Sequence, residues 1–375
     1  MFRESAMIAR KGTGITPAAR RWIMGFISGA LSKGDLPYFL GHEIMSYFPR
    51  GDFYPGNKMD VMYDTSSKVI SYINFLGIRQ LSLNYSYKNG FDSMRNQNGD
   101  FDYFFSYNAS AHQIKLGNFI KKISHSTKWI IIILDYEEET SDFSSFIKKT
   151  KNVDFYVFLS QWAYNNFPLR NKFLLEGGVD VKKLNERYNF HSSYFYPTPY
   201  GKKIILYSGM FSKWGGVNLL LESFQKIEDP DYELWICGFG SNIFLDEMAN
   251  KDKRIKKFGI VTNEKLDQLS KQAKVFVNPR PTNIKGNNMN FPSKLIEYLT
   301  YCKPVVTTMT DGIPDEYFKI CYVSKDNPES LKEKILEAAN EEEYKLKILS
   351  RNIKNFLTQK SWEMQYTALS TWIER

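Results

Sequence analysis

Apolar positions along the chain switch between two periods. In the second half, short β-type runs at 204–207, 233–237, 275–278 and 305–308 alternate with helix-like stretches at 217–227, 264–272, 292–300 and 329–339. Strands that alternate with helices of about ten residues predict βαβ units, and so a parallel sheet covered on both faces. The first half carries the same rhythm less cleanly. Gly12-Thr13-Gly14 opens a helix-like run over 16–31, and apolar strands are expected at 129–134, 155–159 and 172–175, the last ending in Gly177-Gly178. Between the halves, 191–201 carries Pro197, Pro199 and Gly201 and reads as a linker. The expectation is α/β, with two Rossmann-like doubly wound domains, 1–195 and 200–360, facing each other across a cleft. In such sheets ligands bind beyond the carboxyl ends of the strands. Near the end, Trp362, Tyr366, Leu369 and Trp372 recur at near-helical spacing, a stripe expected to pack back on a domain.

Length agrees with this picture, since 375 residues suit two domains at roughly 150 residues each. The longest purely apolar stretch, 129–134, is far short of the roughly 18 to 20 residues of a membrane span, and the first residues lack a signal-peptide pattern. Cys237, Cys302 and Cys321 are scattered and the four histidines share no ligand spacing, so neither a disulfide framework nor a zinc site is expected. A cytoplasmic protein fits this usage. The net charge of +9 favours polyanions: nucleic acid, an anionic membrane or phosphorylated substrates. Charge alone does not choose among them. Lys115, Lys121, Lys122 and Lys128, with Arg20, Arg21 and Trp22, would form a basic aromatic face for an anionic membrane surface, or else a plain solvated face.

Chemistry concentrates in Asn290-Phe-Pro-Ser-Lys-Leu-Ile-Glu-Tyr-Leu-Thr. Pro292 suits the first position of a helix, whose free N–H groups and positive dipole end would meet a phosphate with Ser293 and Lys294. A lysine in the first turn opposes the dipole, which makes it hard to explain as structure alone. Glu297 lies one turn on; the pair reads either as contacts to the phosphate and ribose of one nucleotide or as an i,i+3 salt bridge. Glycine loops that follow strands, at Gly209 and Gly238, allow the backbone to approach a phosphate closely, and Asn278-Pro279-Arg280 extends the series.

These segments resemble the retaining GT-B glycosyltransferases that build capsular polysaccharide, O-antigen and related bacterial glycans (the family 4-like type). The resemblance is strongest over 204–317: YSGMF with LLLESF, LWICGFG, RIKKFGIV, VFVNPR and FPSKLIEYLTYCKPVV. GTGIT and KFLLEGGVD add to it in the first half. The resemblance implies a nucleotide-sugar donor, UDP-sugar above all, bound by the second domain, and a glycan or lipid-linked acceptor bound by the first. It also implies that helix 361–375 returns to the first domain. Glu297 would bond the ribose hydroxyls and Lys294 would stand beside the diphosphate. The backbone at Ile260 and Val261 would read the base, and Gly12 and Gly14 would close over donor and acceptor. Gly209, Lys213, Gly238, Arg280, Pro292 and Ser293 complete the donor set. Met289 stands where the family often has a first glutamate, and Met210 where it has an arginine, with Lys213 as the substitute. Asp135, where many members carry a histidine, is the candidate for orienting the acceptor. No cofactor and no metal are expected, since Lys294, Lys213 and the helix end would take a metal's place. A peripheral position on the inner face of the cytoplasmic membrane and a role in surface polysaccharide synthesis follow. The alternatives are a non-catalytic GT-B partner subunit and a nucleic-acid-modifying transferase, for which only the charge speaks.

Overall fold

The computed structural model describes residues 17–56, 67–108, 110–133, 143–193 and 201–375. Gly12, Gly14 and Asp135 lie outside these residues, as does the side chain of Arg20.

The second half forms a six-stranded, all-parallel sheet. Its strands are β7 (Lys203–Met210), β8 (Tyr232–Phe239), β9 (Ile255–Gly259), β10 (Val275–Asn278), β11 (Val305–Thr308) and β12 (Tyr322–Ser324), in the order β12-β11-β10-β7-β8-β9. Alternate residues leave opposite faces. Ile204, Leu206, Trp235 and Phe276 therefore pack in one buried layer with α9 (Asn263–Gln272), α11 (Ser293–Leu299) and α14 (Glu343–Gln359). Ile205, Tyr207, Leu234 and Val277 pack in the other, with α7 (Val217–Gln225), α8 (Ile243–Lys251) and α13 (Pro328–Asn340). Two short helices, α10 (Lys285–Met289) and α12 (Asp315–Phe318), sit in the loops after β10 and β11. The strand order reverses between β7 and β10, which makes that junction the switch point where a crevice opens.

The first half has a four-stranded parallel sheet of β3 (Tyr103–Tyr107), β4 (Lys128–Ile133), β5 (Phe155–Phe158) and β6 (Lys172–Leu174), and a separate parallel pair, β1 (Phe39–Gly41) with β2 (Ser67–Val69). Its helices are α1 (Pro17–Lys33), α2 (Arg79–Asn98), α3 (Ala111–Ile123), α4 (Phe143–Lys149), α5 (Gln161–Asn166) and α6 (Val181–Ser193). Trp22, Phe26 and Ala30 of α1 fall at i, i+4 and i+8 and pack on Ile130, Ile132 and Val157. The last helix, α15 (Trp362–Ile373), joins that cluster through Tyr366, Leu369 and Ile373. Gly25 and Gly29 make room for it, since a Cβ on Gly29 would stand 2.4 Å from the Trp362 carbonyl oxygen. The chain returns through a parallel bridge of Val179 with Ser361.

The structure overturns part of the proposed basic membrane face. Trp22 is buried, stacked on Phe26 at 5.1 Å and edge-on to Trp362 at 5.5 Å, and Arg21 is engaged in the cleft. An apolar indole on a helix that faces a sheet goes into the core, whatever the charge of its neighbours. Lys121 is also committed, to Asp154 at 3.0 Å.

Candidate donor-binding site

The carboxyl ends of both sheets point at each other. Ser160, after β5, donates from Oγ to the Met289 carbonyl at 2.6 Å, and the Gln161 N–H donates to Gly312 O at 3.1 Å. Deeper in, the buried Glu176 carboxylate accepts from the Tyr317 hydroxyl at 2.8 Å and pairs with Lys360 at 2.6 Å. Met289 itself, 1% exposed, sits in the other domain's cluster with Trp129, Phe158 and Phe167.

At the switch point, β7 and β10 pair only as far as Leu206 with Phe276, whereas β7 and β8 continue to Met210 with Phe239. Beyond Leu206 the β7 edge would be left without partners. The Tyr298 hydroxyl fills the gap, accepting from the Ser208 N–H at 2.8 Å and donating to the Ser208 carbonyl at 2.9 Å. Its ring is stacked on Phe276 at 4.9 Å. This ties α11 to the strand end and sets the height of its first turn. Pro292 caps that turn and the helix begins at Ser293, one position later than the sequence spacing suggests, with no side-chain cap on its N–H groups.

Lys294 Nζ donates to Ser208 Oγ at 3.1 Å and to Glu297 Oε2 at 3.1 Å, and the same carboxylate oxygen accepts from Arg21 at 3.2 Å across the domain boundary. The i,i+3 pair is thus formed and then extended to both domains. Burial pushes the Glu297 carboxyl up, but the Lys294 ammonium and the Arg21 guanidinium outweigh it and hold it below the usual range. A carboxylate kept ionised offers only acceptors, the complement of a vicinal diol. The neighbouring Cys237 thiol is pushed up to about 11 by burial, so it is an inert thiol at neutral pH.

Gly209 and Gly238 lie opposite each other across β7 and β8. Gly238 has φ 140°, and a Cβ there would overlap the Gly209 carbonyl oxygen at 1.7 Å, so only glycine fits. Gly216 fixes the next loop against β10, since its Cβ would meet Pro279 O at 1.7 Å. The loops after β7 and β11 each carry a buried hydroxyl, Ser212 Oγ and Thr310 Oγ1, with no hydrogen-bond partner among the described residues. Arg280 is half-buried after β10, and its carbonyl accepts from Thr308 Oγ1 at 2.6 Å. Lys213 is exposed in the 3₁₀ turn Lys213–Gly215, with no ion pair to another described residue. Val261 packs partly buried on the core below the sheet's edge. Among the described residues, no three His, Cys, Asp or Glu side chains converge on a metal-sized site. Ser208, Tyr298 and Arg21 were not legible as members of this constellation. Only a hydroxyl beside a strand glycine hinted at Ser208.

Residues 195–356 match the family described as glycosyl transferases group 1. That match covers a little under half of this chain. An uncharacterized glycosyltransferase of Methanocaldococcus jannaschii is 27% identical over 164 residues, 42% of this chain and 44% of that relative's length. Among solved structures, the trehalose-6-phosphate protein of E. coli bound with UDP-2-fluoro glucose superimposes with a TM-score of 0.71 at 11% identity, covering 97% of this chain and 98% of that one. Sucrose-phosphate synthase of Thermosynechococcus elongatus gives 0.65 at 14% identity, covering 94% and 91%. Anabaena HepE in complex with UDP and glucose gives 0.58 at 13% identity, covering 83% and 86%. Across both halves the fold is GT-B, and the segment that matches the group 1 family contains the loops around Lys294 and Glu297.

Proposed function

We propose that this chain transfers a sugar, with retention of configuration and without a metal, from a UDP-sugar to a glycan or lipid-linked oligosaccharide of surface polysaccharide synthesis. The observation that carries this reading is the Ser208–Lys294–Glu297 cluster at the switch point of a glycosyl transferases group 1 domain, flanked by two glycines that leave the backbone bare. The UDP ligands of structural neighbours support the choice of base.

In this reading Glu297 exchanges Arg21 for the two ribose hydroxyls, a swap between contacts of similar strength because the Arg21 side chain is 51% exposed. Lys294 turns to the diphosphate, and the Ser212 and Thr310 hydroxyls gain the acceptor each lacks. As the glycosidic bond to phosphate breaks, negative charge grows on the leaving diphosphate; a fixed ammonium in a partly closed cleft stabilises that charge more than the ground state. The departing phosphate oxygen takes the acceptor's proton, and the new bond forms on the face the nucleotide leaves.

Donor hydrolysis and transfer measured over UDP-, GDP- and dTDP-sugars test this. UDP-sugar turnover is expected, unchanged by EDTA, and Lys294→Ala should lower kcat/KM by about 100- to 1,000-fold. No turnover with any donor, or loss on EDTA with recovery on Mn²⁺, would overturn it. Met289 favours a second reading, a partner subunit without turnover, because the side chain at the family's first-glutamate position is buried in the other domain. UDP binding with no sugar release from any donor would single that reading out.

A further inference from the structure

Apart from Tyr344 and Ile348 on α14, the exposed large apolar side chains described within 201–360 all lie where the chain leaves a strand at its carboxyl end. They are Met210 and Trp214 at β7, Phe239 and Ile243 at β8, Ile260 at β9 and Met309 at β11. Trp214 is held from both sides of the crevice. It belongs to the loop after β7, and its indole lies on Gly286 of α10, in the loop after β10, where a Cβ would stand 2.5 Å from the ring. Those two loops bound the switch point, so the ring spans the crevice from one wall to the other.

The support beneath the ring is built from independent contacts. The Trp214 carbonyl accepts from the buried Asn287 amide at 3.1 Å, and the same amide donates to Pro281 O at 3.0 Å. The Tyr207 hydroxyl donates to Met210 O at 2.8 Å and occupies the space a Gly215 Cβ would need, while Gly216, at φ 73°, lies against Pro279. The side-chain amides of Asn288 and Asn290 also turn onto carbonyls of their own loop, Thr282 O and Gly286 O. The loop's amides are thus engaged in its own backbone, and the large ring it carries at the crevice stays 48% exposed. An indole fixed on a glycine with its other side open is a flat apolar plate, which suits the C–H face of a sugar ring or the face of a base.

Position decides between them. With ribose at Glu297 and diphosphate at Lys294, a base read at Ile260 and Val261 lies beyond β9, two strands and about 10 Å from β7 on the side away from β10. Trp214 lies toward β10. Base and plate therefore fall on opposite sides of the diphosphate, and the group that reaches the plate is a sugar. We propose that Trp214 is the stacking platform for a pyranose ring, of the donor or of the acceptor, and so a specificity-determining residue. This rests on the nucleotide-sugar reading above.

Calorimetry with UDP, UDP-glucose, UDP-galactose and UDP-N-acetylglucosamine tests it, together with saturation-transfer NMR of methyl glucoside, methyl galactoside and methyl mannoside, with and without UDP. Trp214→Ala should keep the far-UV circular dichroism and the UDP affinity of wild type. If the platform takes the donor's sugar, it should weaken the UDP-sugars about tenfold, with Trp214→Phe restoring most of the loss. If it takes the acceptor's, UDP-sugar affinity should stay and the glycoside signal should disappear. Gly286→Ala, which displaces the indole without removing it, should reproduce the same selective loss. UDP weakened as much as its sugars would mean that the ring meets the base, and overturns the proposal; so does a Trp214→Ala protein that matches wild type in both arms. Wild type that binds no UDP counts against the donor reading instead, and the glycoside arm without nucleotide then decides the platform by itself.

Discussion

The Tyr298 hydroxyl offers the sharpest test of how the site is held. Tyr298→Phe removes one oxygen from a residue that is 3% exposed, and keeps the ring that stacks on Phe276. Two hydrogen bonds to Ser208 vanish, and the Ser208 N–H is left facing a phenyl ring where the β7–β10 ladder has already ended. At about 1 kcal/mol net for each bond, plus about 1–3 kcal/mol for a stranded buried N–H, part of which is the same loss, the cost should be about 2–4 kcal/mol. For a domain of this size that corresponds to roughly 5–15 °C in Tm. Urea denaturation followed by tryptophan fluorescence measures the loss, and hydrogen exchange at the Ser208 amide reports the cause directly. Tyr344→Phe, on an exposed ring, is the control and should move stability by less than about 0.5 kcal/mol. If Tyr298→Phe costs no more than its control, or if the Ser208 amide keeps its protection, the hydroxyl is not what completes the strand edge, and the placement of Lys294 needs another explanation.

Three further outcomes follow from the packing. Gly29→Ala puts a methyl 2.4 Å from the Trp362 carbonyl oxygen and 2.9 Å from Tyr366 Cβ, so α1 and α15 must move apart; about 1–3 kcal/mol of stability should be lost in thermal unfolding, despite the higher helix propensity of alanine. Lys303→Met strands the carbonyls of Ser270, Lys271 and Ala273 that the buried ammonium satisfies at the end of α9, and should cost about 2–4 kcal/mol in urea. Burial pushes His42 and His112 down to about 4, with His112 and Arg79 adding to the effect at His42. The unfolded chain therefore takes up these protons first as pH falls below about 6.5, and native stability should drop between there and pH 4, by roughly 3 kcal/mol at most for His42. Depression of Glu297 acts in the same direction only lower, through the carboxylate range. His42→Gln should flatten the upper part of the curve; an unchanged slope between pH 6.5 and 5 would count against the assignment.

How legible each element was depended on where its chemistry lay. The core strands of the second domain announce themselves because strands buried on both faces must be apolar at every position, as Ile204, Ile205 and Leu206 are. In α2 the buried positions are Leu83, Tyr87, Gly90, Phe91 and Met94; they follow the helical period, but a tyrosine and a glycine dilute the apolar signal. The aromatic stripe of 362–373 was readable as packing, and it packs, since its large rings must leave water somewhere.

Sequence by itself determined the alternation of strands and helices, the glycine loops, and the lysine and glutamate one turn apart, because these depend on local period and on short-range spacing. Only the tertiary structure decided that Ser208 and Arg21 meet that pair, that Tyr298 completes the strand edge, that Trp22 is core, and that Met289 crosses into the other domain. Those contacts join residues tens to hundreds of positions apart. They exist only once the sheet order has brought β7 beside β10 and the two sheets face to face, information that no window along the chain contains.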